Sequence, residues 1–176
     1  VRDFSLLSFG DGGPVDPGRV APLEEFCDSV EVVPRDAFHH GGLTRSGLLS
    51  SVPRAYVQGF SPEMMANIRR AIPRHDAAIA LMVTAALYFR AVTALPVVFE
   101  EAEVAVIRDR FRAARGPAQR MRQGLTWWKY SRFVRGLCRH AAMTTVVSEN
   151  EGALLGGIGC DLASVAVVPN GVDALD

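Results

Sequence analysis

Six short apolar runs recur along the chain, each followed by a stretch of different character: FSLLSF (4–9), VEVVP (30–34), DAAIALMV (76–83), PVVFE (96–100), AMTTVVS (142–148) and VAVVP (165–169). Runs of this length, rich in β-branched residues and bounded by Gly, Pro and Ser, read as strands. DAAIALMV is nearly all apolar, as a strand buried on both faces has to be. Alternation of such strands with helices is the pattern of a parallel sheet covered by helices.

The helical stretches carry their own punctuation. After the Gly-rich segment GDGGPVDPG, a helix is expected around Val20 to Cys27. Ser61-Pro62-Glu63 supplies a hydroxyl N-cap, a proline at the first helical position and an acid to oppose the helix dipole, and that helix should run to about Ile72. Thr84 is placed to cap the helix after the third strand. From Val104 to about His140 the pattern is helical, broken at Gly116-Pro117 because proline cannot donate to the helix ladder. Ser148 opens S-E-N-E, a capping box in which Ser148 and Glu151 satisfy each other's free amides, and the helix it starts ends near Gly156-Gly157. Residues 35–60, rich in Gly, Ser and Arg, read as a long loop with room for a short helix. The expected architecture is therefore α/β: a three-layer, doubly wound Rossmann-like domain with a mainly parallel sheet of about six strands.

A chain of 176 residues that is 49% hydrophobic can bury one continuous core without disulfides or metals. Its 19 basic and 19 acidic residues cancel, so nothing in the overall charge suggests a nucleic-acid partner. Cys27, Cys138 and Cys160 form no C-x-x-C pair and match no zinc spacing, which leaves free thiols and no metal site as the expectation. The apolar run from Ala77 to Phe89 is shorter than the roughly 20 residues needed to span a bilayer. Val1-Arg2-Asp3 is not the start of a secretory leader. A cytoplasmic location, with room for peripheral contact at the inner membrane surface, is the expectation.

In doubly wound sheets, function collects at the carboxyl ends of the strands. Gly10, Gly12 and Gly13 follow the first strand, where flexible backbone can offer amides to a phosphate, although Asp11 and Pro14 intrude and a simple surface turn explains them equally well. Glu100, Glu101 and Glu103 follow the fourth strand. Glu101 and Glu103 are the candidate catalytic carboxylates, able to orient hydroxyls or to face a developing positive charge; the competing reading is an acidic first turn opposing a helix dipole. His39 and His40 lie in the long loop, where simple solvation is the plainer reading and contact with a bound ligand the other. Ser148, Glu149, Asn170 and Gly171 mark the cleft edge, with capping and turn formation as sufficient structural causes for Ser148 and Asn170-Gly171.

The helical stretch from Arg108 to Arg139 holds ten cations against one acid, Asp109. Trp127, Tyr130, Val134, Leu137, Cys138 and Ala141 recur at threes and fours and should bury. Arg122, Lys129, Arg132, Arg135 and Arg139 fall on the other side, with Met121 and Trp128 among them. Such a face suits an anionic membrane surface, although a solvated face, or one packed on another domain, is the plainer reading.

Read together, VVSENEGALL and VAVVPNGVD resemble the end of the amino-terminal domain of family 4 glycosyltransferases, where a V-S phrase is followed by V-x-P-N-G-V-D. Upstream, the long loop, the S-P-E-M helix, the D-A strand, P-V-V-F-E and the Trp-containing basic helix keep the same order. The resemblance implies a GT-B enzyme in which residues 1–169 form the acceptor-side domain and residues 170–176 begin the linker to an absent carboxyl-terminal donor domain. It further implies retaining, metal-independent transfer from a UDP- or GDP-sugar to a glycan, a lipid-linked carrier or a small acceptor, with the Gly10–Gly13 loop against the donor diphosphate. The fragment alone would bind without catalysing. The family commonly carries an acid near the middle of the basic helix, where this chain has Val134 and Arg135. A dinucleotide-binding oxidoreductase domain is the rival of similar fold, disfavoured because GDGGP is not G-x-G-x-x-G and VEVVPRD offers no clear ribose-binding acid.

Overall fold

The computed structural model describes residues 4–10, 13–35, 52–53, 59–89, 92, 94–100 and 102–171. Gly12, His39, His40 and Glu101 lie outside the described residues. In chain order the elements are β1 (Ser5–Phe9), α1 (Pro17–Glu24), β2 (Ser29–Val33), α2 (Pro62–Ala71), β3 (Ala78–Leu81), α3 (Met82–Ala86), β4 (Val97–Glu100), α4 (Ala105–Arg112), α5 (Pro117–Cys138), β5 (Met143–Val146), α6 (Glu149–Gly157) and β6 (Val165–Val167). Short 3-10 turns follow α2 at Ile72–Arg74 and precede β6 at Leu162–Ser164.

Every strand pairing is parallel, so the α/β, Rossmann-like character expected from the alternation is present. The single sheet of about six strands is not. Among the described residues β1 pairs with β2 alone, while β3, β4, β5 and β6 form a separate four-stranded sheet in sequence order. The edges of β1 and β3 are held apart by a cavity of about 490 Å³ lined by Ser5, Leu6 and Leu7 on one side and Ala78, Ile79 and Ala80 on the other. Successive residues of a strand point to opposite faces, so consecutive residues along one wall mean that the strand edges themselves face the space. Met64 and Ile68 of α2, with Tyr88 and Phe89 beyond α3, also line it.

Local chemistry explains most element ends. Ser61, almost fully buried, caps α2 by accepting the Met64 amide at 3.3 Å, with Glu63 in the first turn and Arg69 and Arg70 in the last. α1 starts three residues earlier than expected, because Asp16 accepts the Gly18 amide at 2.9 Å and Pro17 takes the first helical position. The break at Gly116-Pro117 separates α4 from α5; Gly116 has φ +80°, a conformation that costs glycine little.

The run DAAIALMV departs from expectation. Only Ala78–Leu81 is strand; Ile79 and Leu81 are more than half exposed while Ala80 is buried, so this edge strand is covered on one face. The chain turns at Met82, whose φ of 65° is left-handed, and enters α3 directly. Thr84 therefore sits inside α3 and Leu81 takes the N-cap position, without a side-chain cap. A continuous apolar run cannot by itself distinguish a buried strand from the first turn of a helix.

The main core joins the four-stranded sheet to α5 and α6. Phe99 of β4, Val146 of β5, Val134 and Leu137 of α5 and Leu155 of α6 are all essentially inaccessible. Phe89 meets Phe99 edge-on, with centroids 5.9 Å apart. Trp127, Tyr130, Val134, Leu137, Cys138 and Ala141 do face this core, as their spacing predicts, and Phe133 joins them. A smaller cluster of Val33, Met64 and Tyr88 serves the two-stranded sheet. There Phe60 stacks on Tyr88 at 5.4 Å, the Tyr88 hydroxyl accepts the Ser61 amide at 2.8 Å, and Arg35 donates to the Phe60 carbonyl at 2.8 Å. Burial raises the Tyr88 phenol above its ordinary value, with the Ser61 amide and Arg35 opposing in part.

Candidate functional site

The carboxyl edge of the four-stranded sheet is where sequence-predicted residues gather. In register, Leu81 lies beside Glu100, and Val146 beside Val167, so the segments leaving β3, β4, β5 and β6 emerge side by side. Glu100 ends β4, half-buried. Ser148 and Glu149 follow β5, and Asn170 and Gly171 follow β6, exposed. Two backbone bonds tie the chain just past the strands: Ala102 donates to the Thr145 carbonyl at 3.1 Å and Val168 to the Val146 carbonyl at 2.8 Å.

Glu103 stands on this rim with its side chain exposed and its backbone held firmly. On its amino-terminal side is the Ala102–Thr145 bond. On its carboxyl-terminal side, the Glu151 carboxylate accepts the Val104 amide at 3.0 Å and the Ala105 amide at 3.2 Å. From below, the Tyr130 hydroxyl of α5 donates to the Glu103 carbonyl at 2.7 Å. An exposed carboxylate is thus mounted on a segment tied to β5, α5 and α6, the kind of support that a group needing a fixed position requires.

Glu151, the expected capping-box acid, has partners the sequence did not reveal. Ser148 does accept the Glu151 amide, at 3.3 Å, as the capping box predicts. The reciprocal half is different: the Glu151 side chain, only 5% exposed, reaches instead to the amino terminus of α4. That helix has no side-chain cap at Val104 and no acid in its own first turn, so Glu151 supplies both the missing acceptor and the favourable charge. At the first turn of α4 the acid opposing the dipole thus comes from another helix. An acid at the third position of a helix was the available signal, but partners nearly fifty residues away are invisible in a local pattern.

The other predicted residues lie elsewhere. Gly10 belongs to the two-stranded sheet, and its amide donates to the Val33 carbonyl at 2.8 Å; Gly13 is half-buried. Arg122, Trp128, Lys129, Arg132 and Arg135 are on α5 and Arg139 is its C-cap, with Arg122, Trp128, Arg132 and Arg139 exposed. Among the described residues, the cavity between β1 and β3 includes none of the predicted site residues, and it is lined mainly by apolar side chains. It is a gap between sheets rather than a cleft at the strand ends. Among the described residues no cluster of His, Cys, Asp and Glu could hold a metal ion, and no helix is long and apolar enough to cross a membrane.

Cys138 and Cys160 are buried with their thiols adjacent. The Cys160 thiol is pushed well above its ordinary value by the neighbouring Cys138 thiol and by burial, whereas Cys138 is lowered, chiefly by its contact with Cys160. The Thr144 hydroxyl is near enough to lower Cys138 slightly, yet it is fully buried and lacks a well-formed hydrogen bond. Cys138 ends α5, Cys160 follows α6 and Thr144 lies within β5.

No protein-family model matches the chain, and a search of the curated proteins returns no significant match.

Proposed function

We propose that this chain is the acceptor-side domain of a cytoplasmic GT-B glycosyltransferase that moves a sugar from a UDP- or GDP-sugar to a glycan, a lipid-linked carrier or a small acceptor. The observation that carries the reading is the braced Glu103: an exposed carboxylate on the carboxyl rim of a parallel sheet, fixed through Ala102, Val104, Ala105 and its own carbonyl. Its neighbours on that rim are the V-S and V-x-P-N-G segments on which the resemblance to family 4 glycosyltransferases rests.

Glycosyl transfer develops positive charge at the sugar carbon while negative charge grows on the departing diphosphate. In this reading Glu103, with Glu101, orients the acceptor hydroxyl and faces the cationic centre. Donors for the diphosphate and the opposite wall of the cleft come from a second Rossmann-like domain, whose closure also excludes water. Positioning the acceptor against the donor is the principal contribution of this half.

The test is to incubate the full-length protein with UDP- and GDP-sugars and candidate acceptors and to follow both nucleoside diphosphate release and the glycosylated product. Acceptor-dependent diphosphate release supports the reading. Saturable binding of NAD or NADP, with no turnover of any nucleotide sugar, would replace it with the oxidoreductase alternative.

A further inference from the structure

The outward face of α5 is unlike an ordinary solvated helix surface. Met121 is 76% exposed, Leu125 50% and Trp128 54%. Their spacing of four and three places them in one line along the helix, and the same spacing continues through Arg132, Arg135 and Arg139. The Arg132 guanidinium lies 5.2 Å from the centre of the Trp128 ring, joining the apolar and basic parts of the line. Arg120 and Arg122 flank it, both exposed.

Charge makes the face more specific. From Arg110 to Ser148 the sequence contains nine Lys and Arg residues and no Asp or Glu. A solvated helix face normally intersperses both signs, which pair at three and four residues' distance. Here repulsion among cations is left uncompensated within the helix, beside three large apolar side chains that water solvates poorly.

We propose that this face lies on an anionic lipid bilayer, with Met121, Leu125 and Trp128 entering the headgroup–acyl boundary and the arginines meeting lipid phosphates. Both halves of the pattern are needed to choose this partner. Arginines alone would suit any polyanion, but an aliphatic stripe gains nothing from a nucleic-acid backbone, whereas at a bilayer it adds burial to the electrostatic attraction. Indole is favoured at that depth, with its ring amphipathic and its N–H still able to reach water. The inference does not depend on the sugar-transfer reading and can stand if that reading fails.

The experiment is co-sedimentation of the full-length protein with phosphatidylglycerol–phosphatidylcholine vesicles and with pure phosphatidylcholine vesicles. Binding is expected only to the anionic vesicles and should weaken with salt. Each cation near the surface contributes roughly fivefold in affinity, so Arg132→Gln with Arg139→Gln should lose on the order of twentyfold. Vesicle binding should blue-shift the tryptophan emission in the wild type and much less in Trp128→Phe. Circular dichroism of each variant separates lost binding from lost folding, and Met121→Ser with Leu125→Ser, at two exposed positions, provides a second folded variant that should also lose binding. Failure to bind anionic vesicles, or equal binding by the folded charge variant, overturns the proposal. So does a concentration-dependent oligomer that Met121→Ser with Leu125→Ser abolishes while vesicles have no effect, since the face would then belong to a second copy of the chain.

Discussion

Glu151 of α6 accepts the backbone amide of Val104 at 3.0 Å across a separation of forty-seven residues, and with the Ala105 amide it closes the amino terminus of α4. This pairing couples the segment after β4 to the helix after β5. It fixes the base on which Glu103 stands.

Glu151→Ala should therefore destabilise the protein by about 1–3 kcal/mol, the cost of leaving buried amides without an acceptor. Glu151→Gln, which keeps one carbonyl oxygen but no charge, should fall between wild type and Ala. Denaturant unfolding measures both, and amide hydrogen exchange at Val104 and Ala105 should accelerate in the Ala variant before global exchange does.

Phe99 is completely buried at the centre of β4 and meets Phe89 edge-on. Phe99→Ala should cost about 3–5 kcal/mol through lost burial and the cavity left behind. Ile79→Ala, on the exposed side of neighbouring β3, should cost far less. Chemical denaturation of the two variants in parallel tests whether β3 is covered on one face only, as observed.

Tyr88 gives the stability a dependence on alkaline pH. Its phenol titrates above the ordinary value of 10.0, chiefly because burial disfavours the phenolate. The native state thus holds this proton more tightly than the unfolded chain, so the contribution is intact below about pH 10 and is lost as pH rises through the raised native value. Tyr88→Phe should remove that alkaline loss while costing about 1–3 kcal/mol at neutral pH, since the Ser61 amide loses its acceptor. Unfolding free energies of both proteins across the alkaline range should converge as pH rises.

The thiols provide a simple check on packing. Cys27 is half-buried, whereas Cys138 and Cys160 are buried, with the Cys160 thiol held strongly protonated beside its neighbour. A thiol reagent at mildly alkaline pH should modify Cys27 first. The other two should react only after denaturant is added.

Much of this architecture is legible locally. Val30-Glu31-Val32-Val33, Val97-Val98-Phe99 and Val165-Ala166-Val167 are strands because β-branched and aromatic residues suit a half-buried pleat. Ser61-Pro62-Glu63 and Gly116-Pro117 set helix boundaries through capping and through the missing proline donor. What local pattern does not specify is the relationship between distant pieces. Nothing in FSLLSF or DAAIALMV states that their edges face a cavity instead of each other. Nothing in S-E-N-E states that the glutamate turns to Val104. The rim itself was readable only as a consequence of topology: once strands are parallel and adjacent, Glu100, Glu103, Ser148, Glu149 and Asn170 must emerge together. Leu125 was missed because a helix with apolar residues on two sides gives no single inward stripe, and only its exposure distinguishes the outer one.

The most direct test of sugar transfer at this rim is the kinetic comparison of wild-type full-length protein with Glu103→Gln, whose side chain is exposed and whose backbone supports are unchanged. A carboxylate acting on the reacting centre should cost on the order of a hundredfold or more in kcat when neutralised, with thermal stability retained. Acceptor-dependent turnover of a UDP- or GDP-sugar that collapses in this variant is the predicted result; turnover equal to wild type, or no turnover of any nucleotide sugar by the wild type, would contradict it.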